Sequence, residues 1–264
     1  MVLADWDAAA YARRSGLQRA MAAQVLALLR LEGTERVLDI GCGDGRVTAE
    51  VAARVPRGEV IGVDSSPDMI AFASSRFGPA DGSNLRFQVA DARSLPFREE
   101  FDLIVSLNAL HWVPEQDAAL RSIRRALKPD GLAQLRLVPD GKRKSLELVI
   151  EDTRRSPKWA RYFQELRDPY LHLTPEQYAA LAEKNGLRVR RIQTRTEAWD
   201  FKSRQAFFDF SSVMLVAWTR FLPEAERPAL INDVLDRYRT IACDQPGEEN
   251  VFKFYQMDIT LAPG

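Results

Sequence analysis

The spacing of apolar positions changes along the first half of the chain. Residues 8–31 carry apolar side chains every three or four positions, which predicts an amphipathic helix. That stripe consists of Leu17, Met21, Val25, Leu28 and Leu29. Further along, short apolar runs alternate with helical patterns. The runs that predict strands are RVLDI, EVIGVD, LRFQVAD, FDLIVSLNAL and GLAQLRLV, and the helical segments are RVTAEVAARV, SPDMIAFASSRF and PEQDAALRSIRRALKPDG.

This alternation predicts a mostly parallel sheet with helices on both faces. The helix boundaries agree with it, because Ser66 precedes the second helix as a cap and Pro67 lies in its first turn. Pro129 and Gly131 mark the end of the third helix. EVIGVD and FDLIVSL are nearly continuous apolar runs, which is typical of parallel strands buried on both faces.

The pattern differs in the second half. LRVRRIQTRTEAWDF predicts a long strand and NVFKFYQMDITLA a closing strand. Further helices are predicted over residues 144–183, 203–218 and 224–241, the first of them despite Pro157 and Pro169. No repeat or low-complexity linker interrupts the chain. We therefore expect a single α/β domain over residues 1–264, whose second half completes a seven-stranded sheet and adds a helical cover.

Composition narrows the class of protein. Hydrophobic residues make up 46% of the chain and charged residues 28%, which fits a globular protein. Lys plus Arg equals Asp plus Glu, at 37 each, so we expect no nucleic-acid partner. Two cysteines without a CxxC motif and two histidines indicate neither a disulfide framework nor a metal site. With no signal-peptide pattern and no apolar run near about 18 residues, we expect a cytoplasmic protein without a membrane span.

The stretch VLDIGCGDGRVTAEV contains a glycine-rich turn after the first predicted strand. A dinucleotide-binding turn needs its third glycine where Arg46 stands, and no Lys-Ser or Lys-Thr pair follows as in a P-loop. Asp39 lies in the strand before the turn, and Asp64 and Asp91 end the next two strands. Ligands of open α/β sheets bind at these strand ends. The acids favour a ligand with an adenosine and a positive charge but no phosphate.

These motifs resemble the class I S-adenosylmethionine-dependent methyltransferases. The similar segments are VLDIGCGDG, the second-strand acid Asp64, VADARSLPF and FDLIVSLNALHWV, in this order over residues 35–138. The resemblance implies a Rossmann-like sheet, a helical cap from the N-terminal helix and S-adenosyl-L-methionine as cofactor. It also implies three parts of the one domain: lid helices at 1–34, a cofactor-binding half at 35–139, and substrate-side helices with closing strands at 140–264.

The resemblance also implies roles for individual residues. Asp39 and the turn from Gly41 to Gly45 would hold the methionine part of the cofactor, and Asp64 would hold the ribose hydroxyls. Met69 would pack on the adenine, whose edge Asp91 and the Ala92 amide would contact. Asn108 would lie near the methionine end. The predicted cofactor site is Asp39, Gly41, Cys42, Gly43, Gly45, Asp64, Ser65, Met69, Asp91, Ala92 and Asn108.

The flanking segments AAYARRSGLQRAMA and LHWV resemble those of the juvenile-hormone acid and fatty-acid carboxyl methyltransferases. The matching positions are Tyr11, Ser15, Leu17, Gln18, Leu110, His111 and Trp112. In that family a Gln and a Trp hold the substrate carboxylate, which implies catalytic roles for Gln18 and Trp112 and a substrate contact for Tyr11. SSPDM and HWVP give a second resemblance, to the trans-aconitate methyltransferases.

A carboxylate acceptor agrees with the absence of an obvious general base. Carboxylates are ionised at neutral pH, and the neutral N–H groups of an amide and an indole can hold their oxygens. A hydroxyl, amine or carbon acceptor would need a base, for which His111 is the candidate; a neutral His111 that borders the substrate is the alternative. We expect a monomeric enzyme that forms a methyl ester on a small, apolar acid. A binding protein without turnover remains a rival interpretation.

One further helix could shape the substrate site. Phe207, Phe210, Met214 and Trp218 share one face of residues 203–218, where they would line an apolar pocket or belong to the core. A polycarboxylate such as trans-aconitate would instead need inward-pointing arginines. The candidates for that role are Arg154, Arg155 and Arg161.

Overall fold

The seven predicted strands form one sheet in the computed structural model, which describes residues 29–78 and 83–264 together with 21, 24, 26 and 27. Apolar runs become central strands, as in β2, whose four inner residues are buried. The strands are β1 (Arg36–Ile40), β2 (Glu59–Asp64), β3 (Leu85–Val89), β4 (Phe101–Leu107), β5 (Leu127–Leu137), β6 (Leu187–Asp200) and β7 (Val251–Pro263).

Helices connect the strands and cover the sheet. Ser66 caps the second described helix as predicted, because its Oγ accepts a hydrogen bond from the Met69 N–H at 3.3 Å, and Pro67 lies in the first turn. The helices are α1 (Arg46–Arg54), α2 (Pro67–Phe77), α3 (Gln116–Ala126), α4 (Leu146–Arg154), α5 (Pro175–Lys184), α6 (Arg204–Met214), α7 (Val216–Thr219) and α8 (Arg227–Ala242). Short 3₁₀ turns lie at Ala92–Ser94, Leu110–Trp112, Ala160–Tyr162 and Glu224–Glu226.

The sheet has the order β3-β2-β1-β4-β5-β7-β6. Strands β1 to β5 pair in parallel, and β7 is antiparallel to both β5 and β6. The order reverses between β1 and β4, so the crevice outside their carboxyl ends is where the topology places a ligand. This is the predicted Rossmann-like, mostly parallel seven-stranded sheet.

The boundary between the third helix and β5 differs from the sequence prediction. The third helix ends at Ala126 rather than near Gly131, because Leu127 already pairs with Phe101 and begins β5. A register shift between Phe101 and Leu103 absorbs the KPDG segment, and a Cβ at Gly131 would lie 2.7 Å from the Phe101 carbonyl oxygen. The glycine is therefore required by the close approach of two strands.

The predicted helix over residues 144–183 was wrong in its middle. Only α4 and α5 are α-helical, and the intervening residues form turns around Ala160–Tyr162. Pro157 and Pro169 lie in this break, as expected of a residue that lacks the N–H of a helical hydrogen bond. Residues 155–174, between α4 and α5, form an aromatic loop that runs toward the carboxyl ends of the strands.

Three apolar clusters form the core. One packs α3 and α5 against β1, β4 and β5, and a second packs α1 against β1 and β2 on the other face. The third gathers α4, α6 and α8 with β7 and includes the fully buried Trp159 and Trp218. The predicted helix over residues 8–31 and the lid at 1–34 lie mainly outside the described residues, although Met21 and Leu29 are buried as the predicted stripe requires. Within the described ranges, no helix is long and apolar enough to cross a membrane.

Candidate active site

A cavity of about 190 Å³ lies at the carboxyl ends of β1 to β5. Its strand-end wall consists of residues that end or follow these strands: Ile40, Gly41, Gly43, Asp64, Ser65, Ala90, Asp91, Ala92, Leu107, Asn108, Ala109, Leu110, His111, Trp112, Val113 and Val138. Its second-half wall consists of Glu147, Pro169, Phe210, Met214, Ala217, Arg220, Phe252 and Phe254. Met21 and Met69 complete the described lining.

The glycine turn after β1 lies directly against the turn after β4. Gly41 has φ +74°, and a Cβ built there would lie 2.2 Å from the Ala109 Cβ. A side chain would therefore be strained in its backbone and would also collide with the neighbouring turn. The N–H groups of Gly41 and Cys42 both donate to the Val63 carbonyl, at 2.8 and 3.0 Å, which fastens the turn to β2. The glycines thus leave bare backbone facing the cavity.

Asp39 lies beneath this turn, outside the set of residues that line the cavity. The residue is 3% exposed, and its carboxylate accepts a 2.7 Å hydrogen bond from the Thr48 hydroxyl. Burial raises the pKa of Asp39 to about 6, against the opposing effect of the Thr48 hydrogen bond and with a further rise from the charge of Asp64. Burial also raises the pKa of the Cys42 thiol well above its usual range, so Cys42 is a packed thiol rather than a nucleophile.

Asp64 ends β2 and lines the cavity. One carboxylate oxygen accepts from the Gly43 N–H at 3.1 Å, and the other accepts from the Ser66 N–H at 2.9 Å. Burial raises the pKa of Asp64, while the hydrogen bonds from Ser66, Gly43 and Ser65 oppose that rise. The carboxylate is held in place by backbone groups and keeps lone pairs for hydroxyl donors of a ligand.

Asp91 also lines the cavity, but its charge is already matched. Arg93 Nε lies 3.0 Å from both carboxylate oxygens, and a terminal nitrogen of the same guanidinium lies 2.6 Å from Oδ2. The hydrogen bond from Arg93 lowers the pKa of Asp91. Arg93 therefore pairs with both carboxylate oxygens of Asp91, and the neighbouring Ala92 also lines the cavity.

Asn108 follows β4 with φ +58°, a left-handed conformation that asparagine adopts more readily than most residues. Its side-chain Oδ1 is buried, and it accepts no hydrogen bond in the part of the chain that the structure describes. A buried acceptor without a donor costs free energy, and a ligand ammonium or hydroxyl would supply that donor. Met69, 3% exposed, lines the cavity as a flat apolar surface. Gly45 is not in the lining, because it packs against Ala73 and Phe87.

His111 and Trp112 extend the strand-end wall toward the second half. The Trp112 ring contacts Tyr170 and Trp218 edge to face, with ring centroids 6.4 and 6.0 Å away. The His111 carbonyl accepts from the Leu171 N–H at 2.8 Å, which ties this turn to the aromatic loop. The turn that carries His111 and Trp112 is therefore packed against the third apolar cluster.

His111 is 2% exposed, and its ring centroid lies 5.8 Å from that of His172. Burial, with a smaller contribution from His172, lowers the pKa of His111 well below its usual range. His111 Nδ1 is buried and bonds to none of the described residues. The imidazole is therefore neutral at neutral pH and a weak proton acceptor, which agrees with the interpretation of His111 as a bordering residue.

The helix predicted over residues 203–218 is divided at Leu215 into α6 and α7, and its apolar residues are divided between core and cavity. Phe210 and Met214 line the cavity, whereas Phe207 is 2% exposed and stacks on Phe201 at a centroid distance of 4.9 Å. Trp218 is fully buried. Phe207 and Trp218 thus belong to the core, and only part of the stripe faces a ligand.

The three arginines considered for a polycarboxylate are directed elsewhere. Arg154 and Arg155 form ion pairs with Glu151 and Asp168, and Arg161 donates to the Tyr162 hydroxyl at 2.8 Å. The arginine among the described lining residues is Arg220, which the sequence analysis missed. Also missed were Glu147 on α4 and the pair Phe252 and Phe254, although their alternation on β7 could have indicated one shared face. Within the described ranges, no cluster of His, Cys, Asp or Glu could hold a metal ion.

Comparison with known proteins agrees with this geometry. The methyltransferase domain family matches residues 37–131, from the first residues of β1 to the bulge in β5. A trans-aconitate 2-methyltransferase of Methylobacterium radiotolerans is 34% identical over 60% of this chain and 58% of its own length. The trans-aconitate 2-methyltransferase of Shigella dysenteriae is 28% identical over 94% of this chain and 93% of its own length. The chain thus spans little more than half of the first relative and nearly all of the second.

The fold has solved counterparts as well. The phosphoethanolamine N-methyltransferase 2 of Haemonchus contortus, solved with S-adenosyl-L-methionine, superposes with a TM-score of 0.63 at 19% identity, over 97% of this chain and 57% of that one. At this identity the likeness shows the fold. Residues 37–131 thus match a methyltransferase domain, and together with the relatives and the fold they support a class I S-adenosylmethionine-dependent methyltransferase with S-adenosyl-L-methionine as its cofactor.

The described residues fit that cofactor. Bare backbone at Gly41 and Gly43 allows close approach of a zwitterionic amino acid. The carboxylate of Asp64 and the Oδ1 of Asn108, to which no described residue donates, offer acceptors to that amino acid and to a ribose. Met69 offers an apolar surface to an adenine. Tyr11 and Gln18, which the resemblance places at the substrate, lie outside the described residues.

Proposed function

We propose that this enzyme transfers the methyl group to the carboxylate of a small, apolar acid and so forms a methyl ester. The observation that carries the proposal is the state of His111. Burial lowers its pKa, so the one imidazole in the described lining of the cavity is a poor base for an acceptor that must lose a proton. A carboxylate is already ionised and needs no such base.

The remaining work of the protein is positioning. When bound, S-adenosyl-L-methionine supplies an electrophilic methyl group on a sulfonium. The indole N–H of Trp112 and the amide of Gln18 are proposed to hold the carboxylate oxygens as neutral donors. Phe210, Met214 and Phe254 make the second-half wall apolar, so a closed cavity would exclude water and leave the carboxylate oxygen weakly solvated.

The relatives support an acid as substrate, since they are named for trans-aconitate, which is a tricarboxylic acid. A polycarboxylate of that kind is the second candidate. The cavity favours the apolar acid, because Arg220 is the arginine in the described lining and Arg154 and Arg155 are held in ion pairs. Several carboxylates in this apolar space would be costly to desolvate.

A product assay tests the proposal. The enzyme is incubated with methyl-labelled cofactor and a panel of fatty, isoprenoid and aromatic acids, with trans-aconitate as a further arm. We expect label in an organic-soluble product that mild base releases as methanol, which is the behaviour of a methyl ester. Label that appears only in base-stable ethers, amines or carbon-methylated products would contradict the proposal.

The role of Trp112 has its own test. Trp112→Phe keeps an aromatic ring against Tyr170 and Trp218 and removes the N–H donor. We expect kcat/KM for the best acid to fall about tenfold, the value of one hydrogen bond to a charged group, while cofactor affinity stays within about twofold. Gln18→Ala should act in the same way. A loss of cofactor binding in either variant would contradict its assignment to the substrate.

A further inference from the structure

Two glutamates lie one turn apart on α4, and both are almost completely buried. Glu147 is 4% exposed and Glu151 is 2% exposed. Because residues four apart share a helix face, both carboxylates point to the same side of α4. A buried carboxylate requires hydrogen-bonding or charged partners, so the partners of these two carboxylates can be compared directly.

The Glu151 carboxylate is paired with other side chains of the protein. The indole N–H of Trp218 donates to Glu151 Oε1 at 2.6 Å, and Arg154 Nε donates to Oε2 at 2.7 Å. A terminal nitrogen of Arg155 adds a third hydrogen bond at 2.8 Å. Glu151 is thus a structural carboxylate, satisfied by an indole and two guanidinium groups.

Glu147 is different. Among the hydrogen bonds and ion pairs that join described residues, none involves its carboxylate, although the residue lines the cavity, as Phe210 and Phe252 also do. Its position in the first turn of α4 lets the helix dipole stabilise the negative charge. The cap itself is Ser145, whose Oγ accepts from the Leu148 N–H at 3.2 Å, so the Glu147 oxygens are not needed as a cap.

The Glu147 carboxylate in the second-half wall would repel the carboxylate that accepts the methyl group. The acid group of the substrate must therefore bind elsewhere, and a different part of the substrate reaches Glu147. A carboxylate offers only acceptors, so the complementary group is a hydrogen-bond donor. A purely apolar substrate would leave the carboxylate desolvated without a partner.

We propose that Glu147 is a specificity-determining residue that binds a hydroxyl or ammonium group on the otherwise apolar substrate. This inference rests on the proposed function, because it assumes that the acid group is methylated at the other end of the cavity. It extends that function by making the substrate bifunctional, with a methyl-accepting carboxylate and a distal donor.

The test compares binding of three straight-chain acids of equal length that end in a methyl, a hydroxyl or an ammonium group. Calorimetry measures their affinities for the protein loaded with S-adenosylhomocysteine. We expect the hydroxyl-ended or the ammonium-ended acid to bind at least about tenfold more tightly than the methyl-ended one. Glu147→Met removes the acceptor and should bring that preference to within about twofold.

Two other variants sharpen the result. Glu176→Met changes the exposed first-turn acid of α5, which does not line the cavity, and should keep the wild-type preference. Glu147→Gln keeps an acceptor but loses the charge, so it should retain most of a hydroxyl preference and lose an ammonium preference. It also serves as the test variant if Glu147→Met does not fold.

The proposal is overturned if the methyl-ended acid binds as well as the others, if no acid binds, or if Glu147→Met keeps the preference. Ester formation is measured in parallel on the same acids. Esters without a donor preference would overturn this inference alone. A preference that depends on Glu147 in the absence of any ester would overturn the proposed function. Glu147 would then still be a residue that binds a hydrogen-bond donor of the ligand.

Discussion

The two walls of the cavity are built in different ways. The strand-end wall comes from consecutive β-strand termini, and its key carboxylate, Asp64, is held by backbone N–H groups of Gly43 and Ser66. The second-half wall is gathered from α4, α6, α7 and β7, and its aromatic rings are held by packing against one another. The comparison shows that backbone geometry fixes the strand-end wall, whereas side-chain packing fixes the second-half wall.

The largest expected effect is at the glycine turn. Gly41→Ala forces a Cβ onto a left-handed residue and against Ala109, so we expect a loss of about 3 kcal/mol in the free energy of unfolding. Gly247 has φ +95° with no atom within 4 Å of an added Cβ, and Gly247→Ala should cost about 1 kcal/mol. Urea unfolding measures both, and equal losses would show that contact with the β4 turn is unimportant.

The second prediction concerns packing on the substrate side. Trp218→Phe removes an N–H donor from the buried Glu151, which we expect to cost about 2 to 3 kcal/mol of unfolding free energy. Trp159 is equally buried and donates to Asp233, whose side chain is 36% exposed. Water can replace that donor, so Trp159→Phe should cost about 1 kcal/mol. Thermal and urea unfolding of the pair check the difference, and the reverse order would contradict it.

The third prediction is a pH dependence on the cofactor side. Asp39 has its pKa raised to about 6, so it takes up a proton as the pH falls through that value. A protonated Asp39 no longer attracts a sulfonium or an ammonium, so cofactor affinity should fall by up to about tenfold per pH unit below 6 and stay level just above it.

Calorimetry with S-adenosylmethionine between about pH 5 and 7 checks this dependence. Asp39→Asn should bind more weakly at the upper end and lose most of the slope, with Asp64 responsible for what remains because its pKa is also raised. An unchanged slope in Asp39→Asn would assign the titration to another group.

The sequence predicted the strand-end wall closely because each part is encoded locally. The limits of β2, the Ser66 cap and the strand-end position of Asp64 all follow from neighbouring residues. The second-half wall could not be predicted in this way. Glu147, Arg220 and Phe252 lie far apart in the chain, and their meeting depends on the break between α4 and α5 and on the antiparallel return of β7.

The apolar stripe on α6 shows what helical spacing alone does not predict. Helical spacing places Phe207 and Phe210 on one face, yet Phe207 packs into the core and Phe210 reaches the cavity. A period of 3.6 residues identifies a buried face but not which part of it meets protein and which part meets a ligand. Only the packing of α8 and β7 decides between them.

The central claim is that the two walls serve two different ligands. Titration calorimetry of S-adenosylmethionine into Asp64→Ala and Phe210→Ala tests it most directly. We predict that Asp64→Ala weakens cofactor binding by about 10- to 100-fold, because a carboxylate acceptor is lost, while Phe210→Ala changes it by less than about twofold. Undiminished affinity in Asp64→Ala, or a large loss in Phe210→Ala, would contradict this division of the cavity.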